Sequence, residues 1–115
     1  MASFIQKLRD LVSRGRGGAL GKGTLPRLID PFAYFADGSV WTAVESSNLE
    51  RVAYLPGPNA YNRGGIMAVR FKTGYYWYLD VPESIYRSLL AAPSKGQFLD
   101  RNVKKAGYYY ERKEG

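Results

Sequence analysis

Polar and apolar residues alternate along Leu49–Leu55, and a second strand-like run, Ile66–Phe71, follows a long connection marked by Pro56-Gly57-Pro58-Asn59 and Asn62-Arg63-Gly64-Gly65. Such runs predict β-strands, and the Pro- and Gly-rich stretch between them predicts a loop. Lys72-Thr73-Gly74 reads as a three-residue hairpin turn with Gly74 in the left-handed conformation. On the returning strand Tyr75, Trp77 and Leu79 share one face, while Tyr76, Tyr78 and Asp80 share the other. Trp77 is the largest apolar group there, so its face is expected to lie under the helices that follow. That assignment leaves Tyr76 and Tyr78 open to a partner.

The helices are read from spacings of three and four. Pro82 suits a first helical turn, where its missing N–H costs nothing, and Ile85, Leu89 and Leu90 give residues 82–92 a stripe to bury. Pro93 ends that helix. Ser94-Lys95-Gly96-Gln97 has the form of a capping box for a second helix, residues 94–104, which carries Phe98, Leu99 and Val103. Gly107 releases the chain into Tyr108-Tyr109-Tyr110, a last strand or an extended tail. The fold class is therefore α+β: a small antiparallel β-meander packed against two short C-terminal helices, occupying residues 40–115. Val40-Trp41-Thr42-Ala43-Val44 has strand composition and either joins this sheet or pairs with a partner.

Three segments precede the domain. Residues 1–14 place Phe4, Ile5, Leu8, Leu11 and Val12 at helical spacing, with Lys7, Asp10 and Arg14 opposite, and a helix this short needs a surface for its apolar side. Residues 15–24 are glycine-rich and predict a flexible tether. Residues 25–39 are apolar but broken by Pro26 and Pro31, which predicts an extended strap rather than a helix. The helix and strap are expected to dock on another protein through Phe4, Ile5, Leu8, Leu11, Val12, Leu28, Ile29, Phe32 and Phe35. A membrane surface ranks behind a protein, because the helix is brief and lacks Trp.

Charge changes the picture at the two ends. The chain of 115 residues carries a formal charge of +7, and residues 1–29 hold six basic side chains against Asp10 alone. The middle is close to neutral, and residues 95–115 are basic again. A neutral body with basic ends fits phosphate backbones or an acidic protein surface. Tyrosines interleaved with cations add a stacking option: Arg14, Arg16, Lys22, Arg70, Lys72, Lys104 and Lys105 would meet phosphates, and Tyr76 and Tyr78 would meet bases. Tyrosine is equally favoured in strands and at protein interfaces, so these uses stay open together.

Much chemistry is set aside. The chain has no histidine and no cysteine, which removes the commonest general base, the commonest transition-metal ligands and any disulfide. No catalytic residue, metal or cofactor is assigned, and a small-molecule substrate is not expected. The glycine-rich stretch fails as a phosphate loop, with Arg16 where glycine is needed and Gly23 after Lys22. Tyr109 and Lys113 have the spacing of a short-chain dehydrogenase pair without the surrounding nucleotide-binding domain, and are read as coincidence. No apolar run approaches the roughly 20 residues of a membrane span, and residues 1–20 lack the pattern of a secretory signal.

Ser46-Ser47, Tyr54, Val69-Arg70-Phe71, Tyr76-Trp77-Tyr78, Val81-Pro82, Tyr86 and Ser94-Lys95-Gly96 with Phe98 stand in an order that resembles the KTSR domain, from residue 46 to residue 110. The loop at residues 56–65 is longer than that family's turn, and Pro93 and Leu99-Asp100 depart from its pattern. The resemblance implies a small stand-alone protein of bacteria or their phages, or a module appended to lysyl-tRNA synthetases, and it carries over no catalytic residue. The function expected first is a non-enzymatic protein that docks by its N-terminal arm into a larger assembly, most concretely a virion, with the bacterial cytoplasm as the other location. A nucleic-acid-binding accessory module, for RNA or single-stranded DNA, is the second.

Overall fold

The structure, a computed structural model, describes residues 27–114. The helix expected at residues 1–14 and the tether at 15–24 lie outside the described residues, and with them Phe4, Ile5, Leu8, Leu11, Val12, Arg14, Arg16 and Lys22.

Five strands form one antiparallel sheet in chain order: β1 (Thr42–Ala43), β2 (Leu49–Leu55), β3 (Ile66–Phe71), β4 (Gly74–Leu79) and β5 (Tyr110–Lys113). The short segment around Trp41 thus joins the domain's own sheet, pairing Thr42 with Val52. Between β4 and β5 the chain leaves the sheet to build α2 (Glu83–Ala91) and α3 (Lys95–Leu99), the latter continued by a π-helical turn at Asp100–Lys104. Ser94 caps α3 as expected, accepting the Gln97 N–H at 3.4 Å. Gly107, at φ 91°, takes the left-handed conformation after the helical segment and turns the chain toward β5.

Two expectations are corrected locally. Gly74 is a strand residue opposite Phe71, not a left-handed turn residue, so Lys72 and Thr73 alone make the hairpin connection. Residues 31–36 are helical, not extended. Here α1 (Pro31–Ala36) starts with Pro31 in its first turn, where proline is tolerated, and Asp30 caps it by accepting the Phe32 N–H at 3.0 Å.

The larger correction concerns the sheet's faces. The helices cover the face carrying Val52, Met67, Val69 and Tyr78, and with Leu49, Val81, Leu89, Leu99 and Val103 these side chains form one core. The opposite face, carrying Ala53, Leu55, Ile66, Ala68, Tyr75 and Trp77, is covered by α1 through Phe35. Trp77 therefore faces the strap, and Tyr76 and Tyr78 face the helices. The physical reason is that the strap supplies apolar cover: Phe32 and Phe35 lie 4.8 and 5.4 Å from the Trp77 ring. Two cores of this kind cover both faces of the sheet, and each fully buried aliphatic side chain contributes about 1.5–3 kcal/mol.

Candidate nucleic-acid interface

The β4–β5 register sets Tyr76 opposite Arg112 and Tyr78 opposite Tyr110, so four side chains from two strands meet on the helix-bearing face. Tyr76, Tyr78 and Tyr110 line a cleft of about 450 Å³ together with Asn48, Phe71, Thr73 and Lys104, and Arg112 is bound to two of these lining residues, Tyr76 and Thr73. Tyr110 is 56% exposed, and its ring lies 5.9 Å from both the Tyr76 and the Tyr78 ring. The Arg112 guanidinium donates to the Tyr76 hydroxyl at 3.0 Å and to the Thr73 carbonyl at 3.1 Å. Across the cleft the Lys104 ammonium sits 5.0 Å from the Phe71 ring. Two cations held against aromatic rings thus flank an aromatic floor, and among the described residues no acidic side chain lines it. Tyr78, by contrast, is a core residue whose phenol is pushed up to about 12 by burial.

Of the residues named from sequence for nucleic acid, the structure brings Tyr76, Tyr78 and Lys104 together and separates the rest. Arg70 lies on the other face, 4.1 Å from the Tyr75 ring and 5.7 Å from the Trp41 ring. Lys72 sits in the hairpin turn, its backbone N–H donating to the Asn48 carbonyl at 2.9 Å. Lys105 pairs with Asp100 at 3.2 Å in a largely exposed ion pair, a kind that contributes little. Of the docking residues, Phe35 is buried in the domain's own second core, Leu28 is half-buried, and Ile29 and Phe32 stay exposed. Arg112 and Tyr110 were missed, because only a definite register for the tail as a strand places them beside Tyr76.

The face under the strap holds a second constellation. Lys113 Nζ makes a 2.7 Å ion pair with Glu111 and a 3.3 Å hydrogen bond to the Tyr61 hydroxyl. The same ammonium lies 4.4, 5.0 and 5.2 Å from the Trp77, Tyr61 and Phe32 ring centroids. Hydrogen bonds from Lys113 and Tyr61 hold Glu111 below the usual carboxylate range. Burial alone would lower Lys113, but its bonds to Glu111 and Tyr61 outweigh it and raise the ammonium above its usual range. The Tyr61 phenol is raised, chiefly by its hydrogen bond to Glu111. Lys113 is held by these groups rather than by Tyr109, which is 67% exposed.

A third cleft, polar and about 480 Å³, lies where Ser46-Ser47 meets Ser94-Lys95-Gly96. The Ser46, Asn48, Ser94 and Lys95 side chains in it are committed to local structure. Ser46 Oγ accepts the Leu49 N–H at 3.3 Å and donates to Asn48 Oδ1 at 3.2 Å, and Lys95 donates to the Ala92 carbonyl at 2.8 Å. No group of His, Cys, Asp and Glu suited to a metal ion occurs among the described residues, nor does a helix long and apolar enough to cross a membrane.

A five-stranded antiparallel meander with two helical segments inserted before its last strand, and a basic aromatic cleft on the helix side, defines a small α+β domain. The family model of the KTSC domain matches residues 45–109, more than half of the chain, and the chain belongs to that family. The name KTSR, taken from the motif order, is thereby corrected to KTSC. A protein of Tsukamurella paurometabola is 40% identical over 62 residues, 53% of this chain and 84% of its own length. The crystal structure of a KTSC domain protein from Yersinia pestis matches with a TM-score of 0.55 at 29% identity, covering 64% of this chain and 96% of that one. Both relatives are bacterial, and neither supports a phage origin.

Proposed function

We propose that this chain is a non-enzymatic module that binds single-stranded nucleic acid in the cleft between Lys104 and Arg112. The observation that carries the reading is the placement of these two cations on either side of Phe71, Tyr76 and the exposed Tyr110. A base stacked on Tyr110 gains about 1–3 kcal/mol whatever its identity. Lys104 and the remaining N–H groups of Arg112 then meet the flanking phosphates. Unpaired bases are required because a paired base has no free face to stack.

Gel shift of RNA and single-stranded DNA across a salt series tests this. About five phosphate contacts, from Lys104, Arg112 and the arm cations Arg14, Arg16 and Lys22, give a slope of log affinity on log salt of about −3.5. Lys104→Ala should weaken binding to all sequences alike and reduce that slope by about 0.7. Absence of binding at low salt would overturn the reading.

Docking into a larger assembly, with a virion as its concrete form, is a second reading. It is favoured by Ile29 and Phe32, which stay 52% and 56% exposed beside the strap's anchored Phe35. In the full chain, Leu8→Glu with Ile29→Glu should abolish incorporation into such a particle, and unchanged incorporation would exclude the idea.

A further inference from the structure

The rings around Lys113 and the carboxylate beside it come from four separate parts of the chain, and each part is held in place without the lysine. Phe32 belongs to α1, whose first turn is capped by Asp30. Tyr61 is fixed in its loop by donating its N–H to Asn59 Oδ1 at 3.0 Å, and its hydroxyl donates to Glu111 at 2.5 Å. Trp77 is anchored by its indole N–H, which donates to the Tyr75 hydroxyl at 2.8 Å. The Phe32–Tyr61 and Tyr61–Trp77 pairs meet edge to face, at 86° and 90°. The Phe32–Trp77 pair is tilted, at 48°. Three rings around one point, with a carboxylate at its edge, are the parts by which proteins recognise ammonium groups.

An open cleft of about 540 Å³ adjoins this point and is lined by Phe32, Phe35, Trp77 and Lys113 itself. It gives a chain from outside a route to the cage. Lys113 belongs to β5, which among the described residues pairs with β4 alone, so its side chain can turn away from the cage without breaking a sheet interior.

We propose that Phe32, Tyr61, Trp77 and Glu111 form a recognition site for a primary alkylammonium ligand, and that Lys113 is its intramolecular occupant and competitor. A primary ammonium is specified over a quaternary one because Glu111 and the Tyr61 hydroxyl both accept N–H donors, at 2.7 and 3.3 Å from Lys113 Nζ. An apolar tail on that ammonium fits the adjoining cleft, whose walls include Phe32, Phe35 and Trp77. Lys113, attached to the same chain, competes at an effective concentration in the millimolar range, so the unmodified protein responds only weakly to added ligand.

The test uses the full chain and n-butylammonium chloride, read by the indole N–H resonances of Trp77 and Trp41. In Lys113→Ala, n-butylammonium should shift the Trp77 resonance to saturation and leave that of Trp41 unmoved. Its affinity should rise above that for the unsubstituted chain, as removal of a tethered competitor predicts. Adding Phe32→Ala should weaken the response. Tetramethylammonium and sodium chloride at equal ionic strength should not reproduce it. If Lys113→Ala melts too low for spectra, n-butylammonium should still raise its melting temperature above the tetramethylammonium control, because ligand bound only to the native state stabilises it. A Trp77 shift no larger than that given by the two control salts, or a melting temperature equal in both ammonium salts, would overturn the proposal.

Discussion

Trp77 and Tyr78 are consecutive residues buried in two different cores. Trp77, 1% exposed, packs under Phe32 and Phe35, and Tyr78, 3% exposed, packs under the helices with Val81 and Leu89. Their side chains leave the strand on opposite faces, so β4 couples the strap layer to the helical layer.

Truncation on either face should then cost stability to a similar degree. Trp77→Ala and Tyr78→Ala are each expected to lose about 3–5 kcal/mol, as large aromatic core truncations do, whereas the exposed Tyr110→Ala stays within about 0.5 kcal/mol. Urea denaturation measures all three. A Tyr78→Ala variant as stable as the parent would show that the helices do not cover this face.

Gly65 marks a close approach with a definite consequence. A Cβ placed there would lie 1.8 Å from the Tyr54 hydroxyl, which itself donates to the Val81 carbonyl at 2.5 Å. Gly65→Ala should therefore destabilise by about 1–3 kcal/mol or more through overpacking, and Tyr54→Phe by about 0.5–1.5 kcal/mol through loss of one hydrogen bond. Thermal melts of the two variants check the order, with Gly65→Ala the lower.

The Lys113 cluster gives the protein a pH window. Glu111 is depressed in the folded state, so its contribution is present above the ordinary carboxylate range and is lost as pH falls through its folded value. Lys113 and Tyr61 are raised, so their contributions are present below their ordinary values and are lost as pH rises through the folded ones. The buried Tyr78 phenol, pushed up to about 12, adds to the alkaline limb. Stability should be flat between these limits, and Lys113→Met should flatten the acid limb. Denaturant midpoints from pH 3 to pH 6 measure it, and an acid limb of the same depth in both proteins would exclude the coupling.

The strand limits Leu49–Leu55 and Ile66–Phe71, the Ser94 cap and the release at Gly107 were legible because each depends on residues within a few positions of one another. Period-two alternation, hairpin spacing and cap chemistry act locally. The same local rules misread α1, where Pro31 looked like a helix breaker. Its position after Asp30, in the first turn, is the one place in a helix that tolerates it.

Of the candidate cleft, the sequence showed Tyr76, Tyr78 and Lys104 as residue types suited to the chemistry, but not which of them remain accessible. Arg112 and Tyr110 join Tyr76 only through the register of β5 on β4, across a separation of more than thirty residues.

What the sequence by itself determined is the set of elements and their order: three long strands, two helical segments and an apolar strap, written in patterns of two and of three to four. Which face of the sheet each layer covers was decided only in three dimensions. On β4 both faces are aromatic, so alternation divides Tyr75 and Trp77 from Tyr76 and Tyr78 without saying which pair the helices will meet. That choice rests on whether Phe32 and Phe35 reach Trp77 from more than forty residues away, and burial energy depends on the contacts a side chain finds, not on its position along the chain.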